Sequence, residues 1–218
     1  MSPKRIRVRE ATPADVDAIA AINFSAFDDN VMNHLMYPGG PSESTRNKFA
    51  ARILQQITAK GAPITAKAGE VLIAVAEYLP EGVPSDGPSE VVAFARWLLH
   101  REPLTEEEWN VDDVKATTET WGEGVNVDVV NTFIGGINRK QRDHAKGEAA
   151  LSSPAGYPLY RRFGYEDVDV SDLKVTELWG RANTDGSDWG ANNAIALTGG
   201  PASEGVVRSV IMRRPPKP

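Results

Sequence analysis

Few side chains in this sequence have a type and spacing that could do chemistry. His34 and His100 stand without an acid or a second histidine at the spacing that aligns two metal ligands on one helix face. His144 has Glu148 four residues on, but Gly147 breaks the helix that would align them. Metal binding is therefore not expected. The chain has no cysteine, which excludes disulfides, thiolate metal sites and cysteine nucleophiles. It carries no Gly-x-Ser-x-Gly elbow, no Walker loop and no internal repeat. Gly122 and Gly124, just ahead of a helix capped by Asn126, invite a phosphate-cradle reading. Glu123 between them would repel the anion, so the segment reads as a hinge.

The stretch with most to say is Ser152 to Val168, with Tyr160 at its centre. Its spacing predicts a short helix over 155–163. Leu159 and Phe163 lie four residues apart, so both should point to one face and bury against a sheet. Gly164 closes the helix in the left-handed conformation, and Tyr165, Val168 and Val170 leave as a strand. Ser153 could cap with Pro154 at the first position, but Pro158 would then fall past the tolerant first turn. A start near Ala155 or Gly156 avoids that conflict. Taken alone, Tyr160 is an ordinary half-buried helix tyrosine.

These residues need a scaffold, and the rest of the chain predicts one. Ile6–Val8 opens as a strand. Thr12-Pro13-Ala14-Asp15 starts a helix with a cap, a proline and an acid in the first turn. Val16, Ile19, Ile22 and Ala26, with Ala20 and Phe27 beside them, form its apolar face. Asp28 to Pro38 is a turn and a short amphipathic piece. Phe49, Ile53 and Ile57, widened by Ala50 and Leu54, mark a second helix. The apolar run Val71–Val75 reads as a strand covered on both faces. Pro80 to Pro88 is a loop, and Val91–Leu98 is the next strand. Glu102 to Thr120, with Glu106-Glu107-Glu108 inside it, reads as a solvated loop. Val130, Phe133, Ile134 and Ile137 stripe a long helix that Gly135-Gly136 weakens. Ser171 to Gly180 is another strand, Arg181 to Pro201 a flexible excursion, and Val206 to Arg213 the closing strand.

The resulting expectation is an α/β (α+β) fold with a mostly antiparallel central sheet flanked by helices. Strands fall at 5–9, 70–77, 89–98, 171–179 and 206–213, and helices at 13–27, 44–58, 126–146 and 155–163. All 218 residues fit a single domain, with an excursion at about 181–203. Composition agrees: 41% hydrophobic and 25% charged residues are a globular mix. A net charge of -6 argues against sequence-independent nucleic-acid binding, which needs a basic surface. No apolar run approaches the roughly 18 residues of a membrane span, so no membrane partner is expected. The basic start Met1–Arg7 lacks an apolar signal region. A cytoplasmic or nuclear location is the expectation.

Several blocks carry a resemblance. Ser-Pro-Ala-Gly-x-Pro-Leu-Tyr-x-Arg-x-Gly-Tyr, over Ser153 to Tyr165, resembles the last sequence block of the GCN5-related N-acetyltransferases, the GNAT superfamily, in its fungal branch. Ile-Arg-x-Arg-x-Ala-Thr-Pro-Ala-Asp-Val-x-Ala-Ile, from Ile6, resembles the family's first strand and helix. Ala-Phe-x-x-Trp in the third strand and Val-Ile-Met-Arg-Arg-Pro at the end are similar too. The likeness covers residues 4 to 146 and 152 to 214. It implies acyl transfer from acetyl-CoA to a small-molecule or peptide amine. Tyr160 would protonate the departing CoA thiolate, and Ser153 would lie near the pantetheine arm. In the family the region of His34 packs over the acceptor pocket, although a surface histidine beside Leu35 and Met36 is the plainer reading.

The resemblance fails at its most diagnostic part. The family's cofactor motif is a strand, a Gln/Arg-x-x-Gly-x-Gly/Ala loop and a helix whose free N–H groups hold the CoA pyrophosphate. Here Lys146-Gly147-Glu148 runs through Ala149-Ala150-Leu151 straight into the tyrosine block. About 30 residues, the size of a strand–loop–helix crossover, are missing. Three origins fit: an exon lost from the gene model, a degenerate member that kept only the scaffold, or a chain that binds another ligand in the old cleft. The sheet is expected to be weaker near residues 148–152, and acetyl-CoA affinity poor or absent.

Overall fold

The structure, a computed structural model, describes residues 5–28, 30–59, 70–84, 86–99, 115–144, 149–180 and 203–215. It is a mixed α+β fold with antiparallel sheets, and its residues group into two compact units. The first holds residues up to Asp29, Gly39–Glu108 and Thr117–Val125; the second holds Asn30–Pro38, Trp109–Ala116 and everything from Asn126. No helix among the described residues is long and apolar enough to cross a membrane.

In the first unit, β1 (Arg5–Glu10), β2 (Glu70–Leu79) and β3 (Glu90–Leu99) form a meander in the order β1-β2-β3. Arg7 stands opposite Glu77, and Ala74 opposite Ala95. Along β2 the side chains alternate strictly. Val71, Ile73, Val75 and Leu79 are buried, whereas Leu72, Ala74, Ala76 and Tyr78 are half-buried. The apolar run expected to be covered on both faces therefore has one well-covered face. Above it lie α1 (Val16–Ser25), entered through a 3-10 turn at Pro13–Asp15, and α3 (Glu43–Thr58). Ile19, Ile53 and Ile57 of these helices meet Val71, Ile73 and Val75 in one cluster. Ser42 caps α3 by accepting from the Thr45 N–H. Helix α1 stops at Ser25, which leaves Ala26 and Phe27 of the expected face exposed and puts Phe24 inside. Leu54 is likewise exposed. A one-turn helix, α4 (Thr118–Trp121), replaces the end of the expected loop.

The second unit contains α2 (Val31–Met36), α5 (Val127–His144), β4 (Ala149–Ser152), α6 (Tyr157–Arg162), β5 (Glu166–Lys174), α7 (Val175–Trp179) and β6 (Val206–Arg213). Its sheet order is β4-β6-β5, all antiparallel, so the last strand in sequence is the central one. Val129, Val130 and Ile137 of α5 are buried, and Gly135-Gly136 does not interrupt the helix. Asn126 caps it by accepting from the Val129 N–H at 3.4 Å.

Three expectations need correcting. The described strands form two three-stranded sheets, not one central sheet. The segment 171–179 is not a separate strand: β5 runs unbroken from Glu166 to Lys174, and Val175–Trp179 turns into α7. Val175 is fully buried beside Met32 and Val129, so packing overrides its β-branched preference. Ala149–Ser152 is a strand, although its four residues are too short to show alternation in the sequence. Within its sheet β4 is an edge strand, paired with β6 in continuous register over all four of its residues. His100, Glu106–Glu108, Gly147, Glu148, the His144 side chain, residues 181–202 and residues 1–4 lie outside the described residues.

Candidate functional site

Both sequence-predicted site residues, Ser153 and Tyr160, lie in the second unit, on the connection from β4 into α6. Ser153 starts the turn. Its backbone oxygen accepts from the N–H groups of Gly156 and Tyr157, at 3.1 and 2.9 Å, and its Oγ accepts from Gly156 at 3.3 Å. Helix α6 consequently begins at Tyr157, with Pro158 inside the first turn where its missing N–H costs nothing. Ser152 beside it is fully buried and donates to the Ser153 carbonyl at 3.0 Å.

The face that α6 buries is not the expected one. Tyr157 is 3% exposed and packs with Val170, Val210 and Met212, and half-buried Tyr160, one turn on, joins the same cluster. Leu159 and Phe163 face solvent at 55% and 62% exposure. The apolar pair that was expected to bury is thus outside, and the tyrosines are inside. The reason is polar. The Tyr157 hydroxyl donates to Asp167 Oδ2 at 2.7 Å, a bond that the exposed face could not offer to a buried carboxylate. Asp167 itself points inward because β5 slips register between Asp167 and Asp169. This bulge around Val168 breaks the alternation that put Val168 and Val170 on one face. Burial, and then the bond to Asp167, push the Tyr157 hydroxyl up to about 12.

The structure brings Tyr160, Ser152, Ser153 and Gly156 together. A Cβ on Gly156 would lie 3.3 Å from the Tyr160 ring and 3.6 Å from each serine Oγ. Tyr160 packs edge-on against Tyr165, with ring centres 5.4 Å apart. Among the described residues nothing hydrogen-bonds its hydroxyl. Tyr160 is therefore held by its ring and left with a free polar end, whereas Ser153 spends its polar atoms on the turn. Tyr157, Asp167 and Arg161, whose Nη1 stands 3.8 Å from Asp167 Oδ1, were missed by the sequence reading. An acid ten residues after a buried tyrosine carries no periodic signal, and only the bulge brings the two together.

Gly122 and Gly124 fail a fit test as a pyrophosphate cradle. Both have positive φ, 107° and 78°, but Glu123 puts a carboxylate between them and three of the nearby donors are committed. The Gly122 N–H bonds to Thr118 O at 2.8 Å and the Asn126 N–H to Met36 O at 2.9 Å. The Val129 N–H is taken by the Asn126 side chain. Gly122 is needed for close approach: a Cβ there would lie 2.7 Å from the Thr45 backbone. The Glu123 carbonyl accepts from Ser42 Oγ at 2.7 Å, which docks the turn on the start of α3. His34 is exposed near the end of α2. Among the described residues no three histidine, cysteine or acidic side chains are placed to share a metal ion. No family model, no curated protein and no solved structure matches this chain.

Proposed function

We propose that this chain is a GNAT-like protein that keeps the tyrosine block but binds acetyl-CoA poorly, and that it works as a binding or scaffold protein. The observation behind this reading is that the sequence runs from Lys146 through Ala149-Ala150-Leu151 straight into the tyrosine block, with no room for the strand–loop–helix that would hold the cofactor. Coenzyme A is held chiefly through its pyrophosphate, which needs several unpaired N–H groups at a helix start. The chain's one Gly-x-Gly segment ahead of a helix carries the Glu123 carboxylate between its glycines, and the crossover that would supply a cradle is missing from the sequence. The blocks quoted above support the family reading. The chemistry suits the cytoplasm, in line with the absence of cysteine.

A thermal scan with millimolar acetyl-CoA tests the proposal. A ligand at 100 times its dissociation constant stabilises the native state by about 2.7 kcal/mol. That corresponds to roughly 5–10 °C for a domain of this size. The expected scan is flat. A shift of several degrees would overturn the proposal.

One observation favours a second reading, acyl transfer from acetyl-CoA to an amine: the Tyr160 hydroxyl is presented without a partner among the described residues. On that reading Tyr160 is the proton donor and Ser153 shapes the turn beside it. Tyr160→Phe should then abolish most turnover with little change in cofactor affinity. Full activity in that variant would remove the assignment.

A further inference from the structure

We propose that the open face of the first unit's sheet is a docking surface for an amphipathic helix of another protein, one whose apolar stripe is flanked by lysines or arginines. This gives a binding protein its partner, but it rests on the sheet alone. A chain that did bind acetyl-CoA could carry the same face, so the acetyl-CoA scan decides nothing about it.

The register of the meander sorts its side chains to two faces. Val71, Ile73 and Val75 face α1 and α3. An antiparallel sheet covered on one side ordinarily turns its polar residues to the other. Along β1 the reverse holds. Arg7 and Arg9 share the helix-covered side with buried Glu77, which takes them both. Ile6 and Val8 are left on the open side, opposite Tyr78 and Ala76. Further along, Leu72 stands opposite Trp97 on the same side, and the row between them holds Ala74 opposite Ala95. Val8, Ile6 and Trp97 are 70%, 51% and 47% exposed, and Leu72 and Tyr78 are half-buried. A single exposed apolar residue needs no explanation, but a continuous patch across three strands marks an interaction surface.

Charge selects the occupant. The charged residues that the three strands put on this face are Glu10 and Glu70 at one end and Glu90 at the other; their arginines all lie on the opposite face. Glu90 is exposed and has no partner among the described residues. A second copy would bring glutamate to glutamate between chains of net charge -6. It would also find too little area. Three strands over the rows from Tyr78 to Leu72 make a face of about 14 by 24 Å, less than half of the roughly 800 Å² per partner of a stable pair. One helix fits instead, being about 10 Å across and covering 24 Å with about 16 residues. The profile of the face is large, small, large, since alanines lie between Tyr78 and Leu72. It accepts a bulky residue at the middle of the partner's stripe, the helix-on-surface mode of recognition.

The test uses the whole chain and three labelled peptides of about 16 residues. The first is a helix with a leucine stripe flanked by lysines, the second has glutamate for each lysine, and the third is the first with its stripe scrambled. Binding is followed by anisotropy and by the Trp97 indole resonance, which needs no variant to fold. The lysine helix should bind with a Kd of about 0.1 mM or tighter, as small transient interfaces do, and should move the Trp97 resonance. Both control peptides should bind at least about tenfold more weakly, because one loses the charge match and the other the stripe. Val8→Lys, at an exposed position, should weaken binding by about tenfold or more and Glu90→Lys by about threefold. Sedimentation of the free chain should show no pairing that Val8→Lys abolishes. The proposal is overturned if the lysine helix fails to bind at about 1 mM, if either control binds as tightly, or if either variant binds unchanged. A still Trp97 resonance would overturn it too, and so would self-pairing lost in Val8→Lys, which would make the second copy the occupant.

Discussion

Glu77 in the first unit and Asp167 in the second are both buried carboxylates, 3% and 9% exposed, and they are treated in opposite ways. Glu77 stands in the core row of β2, yet both its oxygens are taken. Oε2 accepts from Arg7 Nε at 2.6 Å, and Oε1 accepts from Arg9 Nε and Nη2 at 3.0 and 2.6 Å. Arg9 reaches onward to both oxygens of Asp15 at 2.8 Å, and Asp15 also accepts from the Thr12 N–H and hydroxyl. The network ties β1, β2 and the entry to α1 into one polar clamp. Asp167 has a single strong bond, from Tyr157, and no hydrogen bond reaches its Oδ1 among the described residues. A buried charge that is fully paired specifies its surroundings; one that is half paired mostly tolerates them. The first unit's sheet is thus locked by its acid, whereas the second unit's site is shaped by its tyrosine.

The largest effect should come from Glu77→Gln. It leaves Arg7 and Arg9 facing a neutral amide and should cost about 2–3 kcal/mol, since breaking a buried ionic network from one side exposes the remaining charges to desolvation. A thermal melt should fall by roughly 5–10 °C. Acid should act in the same direction. Hydrogen bonds from Arg9, then Arg7, hold Glu77 below the usual carboxylate range, and Arg9 holds Asp15 well below it. Groups depressed in the folded state add stability above their unfolded values of 4.5 and 3.8 and lose it as pH falls further. The wild type should therefore lose melting temperature below about pH 4.5, and Glu77→Gln should lose less. Equal acid sensitivity would show that the clamp is not the source.

Next in size is Tyr157→Phe, at about 1–3 kcal/mol, because it removes the one hydrogen bond that reaches Asp167. It has its own pH signature. The folded Tyr157 is raised from 10.0 to about 12, so its contribution is whole below pH 10 and drains away as pH rises towards 12. Wild type and variant melts should converge across that interval. Asp167→Asn should be milder, within about 1 kcal/mol of wild type, because a neutral amide tolerates a missing partner better than a charge does. If it costs as much as Glu77→Gln, the contrast between the two carboxylates is false. The smallest effect should be Leu159→Ser, within about 0.5 kcal/mol for an exposed side chain, despite its apolar spacing with Phe163.

Leu159 also shows where reading the sequence stops. Periodicity locates elements well: the helices over 13–25, 43–58 and 127–144 and the strands of the first unit sit close to where their apolar spacing puts them. Periodicity ranks faces by hydrophobicity alone, and on α6 it picked Leu159 and Phe163 over two tyrosines. The choice was made by Asp167, a polar residue ten positions from Tyr157 and on the far side of a bulge. Glu77 was equally hidden. Arg7 and Arg9 read as a family pattern, and Glu77 as the polar end of a strand. Only the β1–β2 register, with Arg7 opposite Glu77, turns three surface-looking charges into a buried network.

The order β4-β6-β5 has a consequence for how the protein is made. A ribosome delivers the strands in sequence, and the meander β1-β2-β3 can add each strand to the one before it. In the second sheet the strand between the other two is the last to be synthesised. Until Val206–Arg213 emerges, Ala149–Ser152 and Glu166–Lys174 have no strand to pair with. Two open edges must wait through the translation of more than 30 residues between Lys174 and Val206, seconds at ordinary elongation rates. A nascent chain stalled before β6 should accordingly have a finished first sheet and protease-sensitive strands in the second, and the same interval is when those edges are open to pairing with a neighbouring chain.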